Sequence, residues 1–226
     1  MKRNQSGFTL IEIAIVLVII GLLLGGVLKG QELINSAKVK NLAGDFKNIP
    51  VFIYGYQDKF KALPGDDRSV DTHLSSLNPN CAGGTCPVPP ANTTVGNGVI
   101  EGLWKPAAAT DESAVFWQHV RLAGLAPGST TVALTGDYIP KNAVGGDIGI
   151  TSAANSPILN LRGSFVICSN GIAGKFAKQL DTTMDDGVSN TGSMQIITAG
   201  STAVGGTAIV PGSVSDDTPY LVCMGI

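Results

Sequence analysis

Residues Phe8 to Leu28, FTLIEIAIVLVIIGLLLGGVL, form an apolar run that carries a single charge, Glu12. At ~1.5 Å rise per residue these 21 residues make a helix of roughly 31 Å, the thickness of the hydrocarbon layer of a bilayer. The stretch is therefore expected to span a membrane. Lys2 and Arg3 precede it and the next basic residue is Lys29. That bias places the amino end in the cytoplasm and the rest of the chain outside, an asymmetry that Lys29, Lys38 and Lys40 reduce. No small-residue site of the A-x-A type closes the run, so ordinary signal-peptide removal is not expected.

The order Gly7-Phe8-Thr9-Leu10-Ile11-Glu12 at the edge of this run resembles the prepilin-peptidase site of type IV pilins and type II secretion pseudopilins. The resemblance implies cleavage between Gly7 and Phe8, loss of the leader 1–7, N-methylation of Phe8 and retention of 8–28 as membrane anchor and filament core. It further implies the partners: prepilin peptidase, an inner-membrane assembly platform, other pilin or pseudopilin subunits, and membrane lipid before assembly. The location implied is the bacterial inner membrane, crossed once with the head in the periplasm, and afterwards an extracellular pilus or a periplasmic pseudopilus. The motif covers the first thirty or so residues. Many members of the family have a proline where this chain has Lys29.

An acid inside a spanning helix costs up to ~2.5–3.5 kcal/mol near the bilayer centre and less near an end. Its nearest compensation is the new amino terminus at Phe8, which is mostly cationic at neutral pH. A pair at ~4 Å gains ~4 kcal/mol at an effective dielectric of ~20, before desolvation is subtracted. The resemblance implies that this glutamate neutralises the amino terminus of a neighbouring subunit, which makes Glu12 the expected assembly residue. The competing reading leaves Glu12 at the headgroup boundary, paired with nothing. Gly21, Gly25 and Gly26 let helices approach closely and weaken the span locally.

Beyond the span, Val39, Leu42, Phe46, Ile49, Ile53, Tyr56, Phe60 and Leu63 recur at spacings of three and four. This is the stripe of a helix packed on a core, with Lys40, Lys47, Gln57, Asp58 and Lys61 opposite. Pro50 is expected to kink this spine, residues 29–63, and Leu63-Pro64-Gly65-Asp66 to end it. Residues 64–226 then form a globular head. The expected fold is α+β and pilin-like: a long N-terminal helix, half membrane and half amphipathic, packed on an antiparallel sheet. In the head, Asp111–Ala123 and Ala173–Met184 read as helices. Thr131–Leu134, Asp147–Thr151, Ser164–Cys168, Gln195–Thr198, Thr207–Val210 and Tyr220–Met224 read as strands.

The chain has 226 residues, 15 basic and 17 acidic, and losing Lys2 and Arg3 takes the side-chain balance to −4. There is no basic excess for binding nucleic acid. Four cysteines in an exported domain favour disulfides. Of three pairings we prefer Cys81–Cys86, closing a Pro-rich loop, with Cys168–Cys223, tying the last strand to the one before the late helix. Loop entropy makes these worth ~2 and ~4 kcal/mol. One C-x4-C pair without a second knuckle argues against zinc.

Asp181, Asp185 and Asp186, followed by Gly187 and Asn190-Thr191-Gly192, offer the oxygen ligands calcium takes, without EF-hand spacing. Some pseudopilins bind calcium in a carboxyl-terminal loop, and the bland reading is a helix end with an Asx turn. No other cofactor is expected. His73 reads as a residue of a polar loop, and His119, beside Trp117, as surface or half-buried scaffolding. Neither accompanies a nucleophile motif. Gly145–Gly149 lacks the lysine and spacing of a phosphate loop, and Asn92-Thr93-Thr94 is a bare sequon.

The function expected is that of a non-enzymatic structural subunit, of a type IV pilus or of a type II secretion pseudopilus. Two alternatives stay open: a minor pilin acting as tip adhesin or DNA-uptake factor, and a signal-anchored periplasmic enzyme.

Overall fold

The computed structural model describes residues 9–74 and 94–226. Gly7, Phe8, Cys81, Cys86 and the sequon residues Asn92 and Thr93 lie outside the described residues. The chain divides into two units, Met1–Lys38 and Val39–Ile226.

Helix α1, Leu10–Phe60, runs without interruption through Pro50, which has no N–H to offer the Phe46 carbonyl. In the first unit its apolar residues, Leu10 to Leu28, are exposed. In the second unit the three-and-four stripe is the buried one: Val39, Leu42, Phe46, Ile49, Ile53 and Tyr56 face inward, and Lys40, Lys47, Asp58 and Lys61 face outward. The helix stops at Phe60, three residues before the Leu63-Pro64-Gly65 signal, because Lys61 turns to φ 55 while its N–H still reaches the Gln57 carbonyl at 2.8 Å.

The head then forms α2 (Val70–Leu74), α3 (Glu112–Leu122), β1 (Ile148–Ser152), β2 (Phe165–Ala173), α4 (Gly174–Met184), β3 (Met194–Thr198) and β4 (Pro219–Gly225). The four strands make one antiparallel sheet in the order β1-β2-β4-β3. Strand periodicity assigns the two faces. Ile148, Ile150, Ile167, Met194, Ile196, Val222 and Met224 pack with the stripe of α1 and with α3 and α4. Val166, Cys168, Ile197, Leu221 and Cys223 face the other way, under Trp104, Ile158 and Leu161. This is the α+β layout expected, a long N-terminal helix with a four-stranded antiparallel sheet. Cys168 and Cys223 are register partners on β2 and β4 and are joined by a disulfide.

Two expected strands are absent. At Thr131–Leu134 the preceding carbonyls are taken by side chains of α3: Gln118 Nε2 donates to the Thr130 carbonyl at 2.8 Å and Arg121 Nη1 to the Ser129 carbonyl at 3.0 Å. Side-chain donors hold this segment in place of a ladder. At Thr207–Val210 the Ile209 N–H reaches the Ile196 carbonyl at 2.8 Å, but the Ile196 N–H donates to the Ser189 carbonyl. The outer edge of β3 is thus divided between two loops and neither becomes a strand. β2 outruns the expected Ser164–Cys168 because its Ser-Asn-Gly sequence forms a register irregularity between Ser169 and Ile172 rather than a turn.

Candidate functional site

At the start of α1, Thr9 and Glu12 close the first turn on each other. The Thr9 N–H donates to Glu12 Oε2 at 2.8 Å, Thr9 Oγ1 donates to the same oxygen at 2.7 Å, and the Glu12 N–H approaches Thr9 Oγ1 at 3.4 Å. This reciprocal arrangement is a capping box, which satisfies helix N–H groups that have no carbonyl partner and is worth ~1 kcal/mol. The partner expected for Glu12 from the sequence is an amino terminus, and the structure adds Thr9. The signal was present as Thr-Leu-Ile-Glu, the [ST]-x-x-[DE] pattern ahead of an apolar run. Following the cap, the helix exposes Leu10, Ile11, Ile15, Leu17, Leu22 and Leu28 on all its sides. A helix without a polar face is stable in lipid or among other helices, not in water. Its length and composition suffice to cross a membrane.

In the head, the segment Leu63-Pro64-Gly65-Asp66-Asp67 is a polar junction as well as a helix stop. The Gly65 N–H donates to His119 Nδ1 at 3.0 Å. Asp66 accepts the Gly98 N–H at 2.7 Å and the Gly96 N–H as well. Asp67 accepts from the Tyr56 hydroxyl at 2.8 Å and the Ser69 N–H at 2.9 Å, and His73 Nδ1 lies 2.7 Å from it. His119 is therefore fully buried rather than at the surface, because Nδ1 serves the backbone of this junction. His73 sits half-buried in α2 rather than in a loop, because the Asp67 carboxylate holds it. Glu112, 2 % exposed, stands behind the junction. Its Oε2 accepts the Glu101 N–H at 2.7 Å and its Oε1 has no hydrogen-bond partner among the described residues. Burial pushes this carboxyl up to about 7 against the pull of the Glu101 N–H, with the Asp66 and Glu101 charges adding to the rise. A cleft of about 530 Å³ opens beside the junction, lined by Gln57, Phe60, Asp66, Asp67, Arg68 and His73. Its carboxylates are occupied by the contacts just given.

The acidic loop gathers as the spacing suggested. Asp181 in the last turn of α4 and Asp185 and Asp186 just past it place one oxygen each within 4.8 Å of one another. Asp185 accepts from the Met194 N–H at 2.8 Å and from Ser193 Oγ at 3.1 Å. Asp186 accepts from the Val188 N–H at 2.8 Å and from Thr191 Oγ1 at 2.7 Å. Asp181 is 1 % exposed and neither oxygen has a partner of hydrogen-bond geometry. Burial raises its pKa to about 6; the Asp186 and Asp185 charges add to this, and the Gly187 backbone N–H opposes it.

The Gly145–Gly149 run is the turn into β1. The N–H groups of Val144 and Gly146 donate to Asn142 Oδ1 at 3.0 and 2.8 Å, so they are committed to the turn.

No curated protein matches this chain. The family model that does match is that of the prokaryotic N-terminal methylation motif, on residues 2–28. Those residues are the basic stretch before the apolar run, Gly7 and Phe8, the Thr9–Glu12 cap and the apolar part of α1 up to Leu28. The chain thus carries at its amino end the prepilin-type motif of type IV pilins and pseudopilins.

Proposed function

We propose that the chain is a structural subunit that prepilin peptidase cuts between Gly7 and Phe8, N-methylates at Phe8, and releases for assembly through α1 into a type IV pilus or a type II secretion pseudopilus. The observation that carries this reading is the match of residues 2–28 to the methylation motif, on a helix whose apolar side chains are exposed all round. Such a helix passes from lipid to a bundle of like helices without meeting water, which is what assembly from a membrane reservoir requires. Before assembly the subunit is anchored by that helix, with Val39–Ile226 on the periplasmic side. Its partners are the peptidase, an inner-membrane assembly platform, and copies or relatives of itself.

Glu12 has two parts to play in this scheme. Its Oε2 caps the helix through Thr9, and its charge neutralises the amino terminus of a neighbouring subunit. The Leu63–Asp67 junction and the Cys168–Cys223 bond tie distant parts of the head together, and in this scheme the head sets the surface and the helix the assembly.

The test is the mass of the native amino terminus, taken from protein purified from its own cells. The expected chain begins at Phe8 and carries one methyl group on its α-nitrogen. A chain that still begins at Met1, in cells with active prepilin peptidase, refutes the reading and leaves a plainly anchored protein.

A further inference from the structure

We propose that His119 is an acid-sensitive latch on the exit of α1: protonation of its imidazole releases the Leu63–Asp67 junction from α3 while the sheet stays folded. The geometry behind this is the Gly65 N–H, which donates to His119 Nδ1 at 3.0 Å across 54 residues of chain. A ring nitrogen that accepts a hydrogen bond has its lone pair in use, so the neutral imidazole carries its proton on Nε2. An imidazolium carries a proton on both nitrogens and sets N–H against N–H at this contact. The closed junction therefore excludes the cation.

The surroundings make the lost bond costly. His119 is fully buried and Gly65 is buried with it, so water does not replace the acceptor. Gly65 also has no room to slide to another one, because a Cβ on it would already lie 2.7 Å from the Glu112 carbonyl oxygen of α3.

The ionisable groups on the elements packed against His119 are Tyr56 of α1, whose ring stacks on the imidazole at 6.1 Å, Asp66 and Asp67 of the junction, Asp71 and His73 of α2, and Glu112 of α3. Asp66 is held by the Gly96 and Gly98 N–H groups, and Asp67 by Tyr56, Ser69 and His73. Glu112 stands two turns before His119 on the same helix and works in the opposite sense, since the folded chain favours its protonated form. Overall stability thus mixes two opposed titrations, and the latch is read at Gly65 itself. What it loosens is the chain where it leaves α1, with the Asp66 and Asp67 contacts that follow.

The experiment uses the full chain, labelled with nitrogen-15, in a mild detergent. Amide hydrogen exchange is followed at pH 7 and pH 5 and expressed as protection relative to the intrinsic rate, with the amides of β2 and β4 as internal reference. An ordinary imidazole titrates near ~6.5, and a closed state that excludes the cation loses about tenfold in its closing equilibrium per pH unit below that. Between pH 7 and pH 5 the protection of Gly65 is expected to fall about 25-fold relative to the strands. His119→Asn offers Oδ1 as an acceptor that does not titrate, so its Gly65 protection is expected to change less than about threefold; comparing the two chains cancels Glu112 and the other titrating groups. Should that variant fail to fold, the ring nitrogen shifts of wild-type His119 keep the test readable, since the imidazole must stay in the neutral Nε2–H form for as long as Gly65 is protected. Unchanged Gly65 protection at pH 5, an equal loss in His119→Asn, or an imidazolium in a chain whose Gly65 amide is still protected overturns the proposal.

Discussion

Replacing Glu112 by glutamine tests whether a single buried carboxyl sets the pH dependence of head stability. The wild-type carboxyl lies at about 7 in the folded chain against an ordinary 4.5, so the folded state binds a proton that the unfolded state releases between those values. Where the folded state holds more protons, stability falls as pH rises. The contribution is therefore complete below about pH 4.5 and is lost as pH climbs through about 7. The gap corresponds to roughly 3 kcal/mol at ~1.36 kcal/mol per pH unit. Glutamine can still accept the Glu101 N–H that Oε2 now accepts at 2.7 Å, and its amide N–H offers the Glu101 carboxylate a donor as the protonated acid does. It does not titrate. The assay is denaturant unfolding of wild type and Glu112→Gln in detergent at pH 4 and pH 8, read by tryptophan fluorescence. Whatever the substitution costs at pH 4, the variant should gain about 3 kcal/mol on the wild type between the two pH values. Taking the change between pH values cancels the other titrating groups. A difference that stays constant from pH 4 to pH 8 refutes the account of Glu112 as a buried acid protonated near neutrality.

Gly65 adopts φ +92, and a Cβ there would lie 2.7 Å from the Glu112 carbonyl oxygen, so Gly65→Ala combines a strained backbone with a clash. It is expected to cost about 2 kcal/mol or more, measured by the same unfolding assay, and a loss below about 0.5 kcal/mol would contradict the junction described. Glu12→Gln separates the two parts assigned to that residue, since glutamine serves a capping box as well as glutamate does but carries no charge. Membrane insertion should be unchanged, and incorporation into filaments, scored by immunoblot of sheared fibres, should fall at least tenfold. Normal incorporation would leave Glu12 as a helix cap alone.

What could be read from the chain was whatever repeats along it. The stripe from Val39 to Tyr56 became the buried face of α1, and Phe176 and Leu180 became that of α4. Four short apolar runs became the four strands, because periods of 3.6 and 2 are imposed by backbone geometry within one segment. Thr131–Leu134 and Thr207–Val210 have the composition of strands too, but a strand needs a free edge. Arg121 and Gln118 claim the first segment, and β3 divides its edge between Ser189 and Ile209 in the second. The buried polar junction was illegible for the same kind of reason. Gly65 and His119 are 54 residues apart and Asp66 and Gly98 are 32 apart, and nothing periodic connects them.

The candidate sites divide along that line as well. Thr9 and Glu12 lie one turn apart, so their proximity follows from helical spacing, whereas Asp185 and Asp186 lie past the end of α4 and meet Asp181 through the turn that follows it. What spacing could not supply is the surroundings. Thr9 turns Glu12 onto its own helix, and burial puts Asp181 among the Asp185 and Asp186 charges. Glu12 is held by its cap at the start of α1, whereas the buried Asp181 stands beside the Asp185 and Asp186 charges, with the Gly187 backbone N–H opposing them. The first arrangement suits an acid whose partner arrives on assembly.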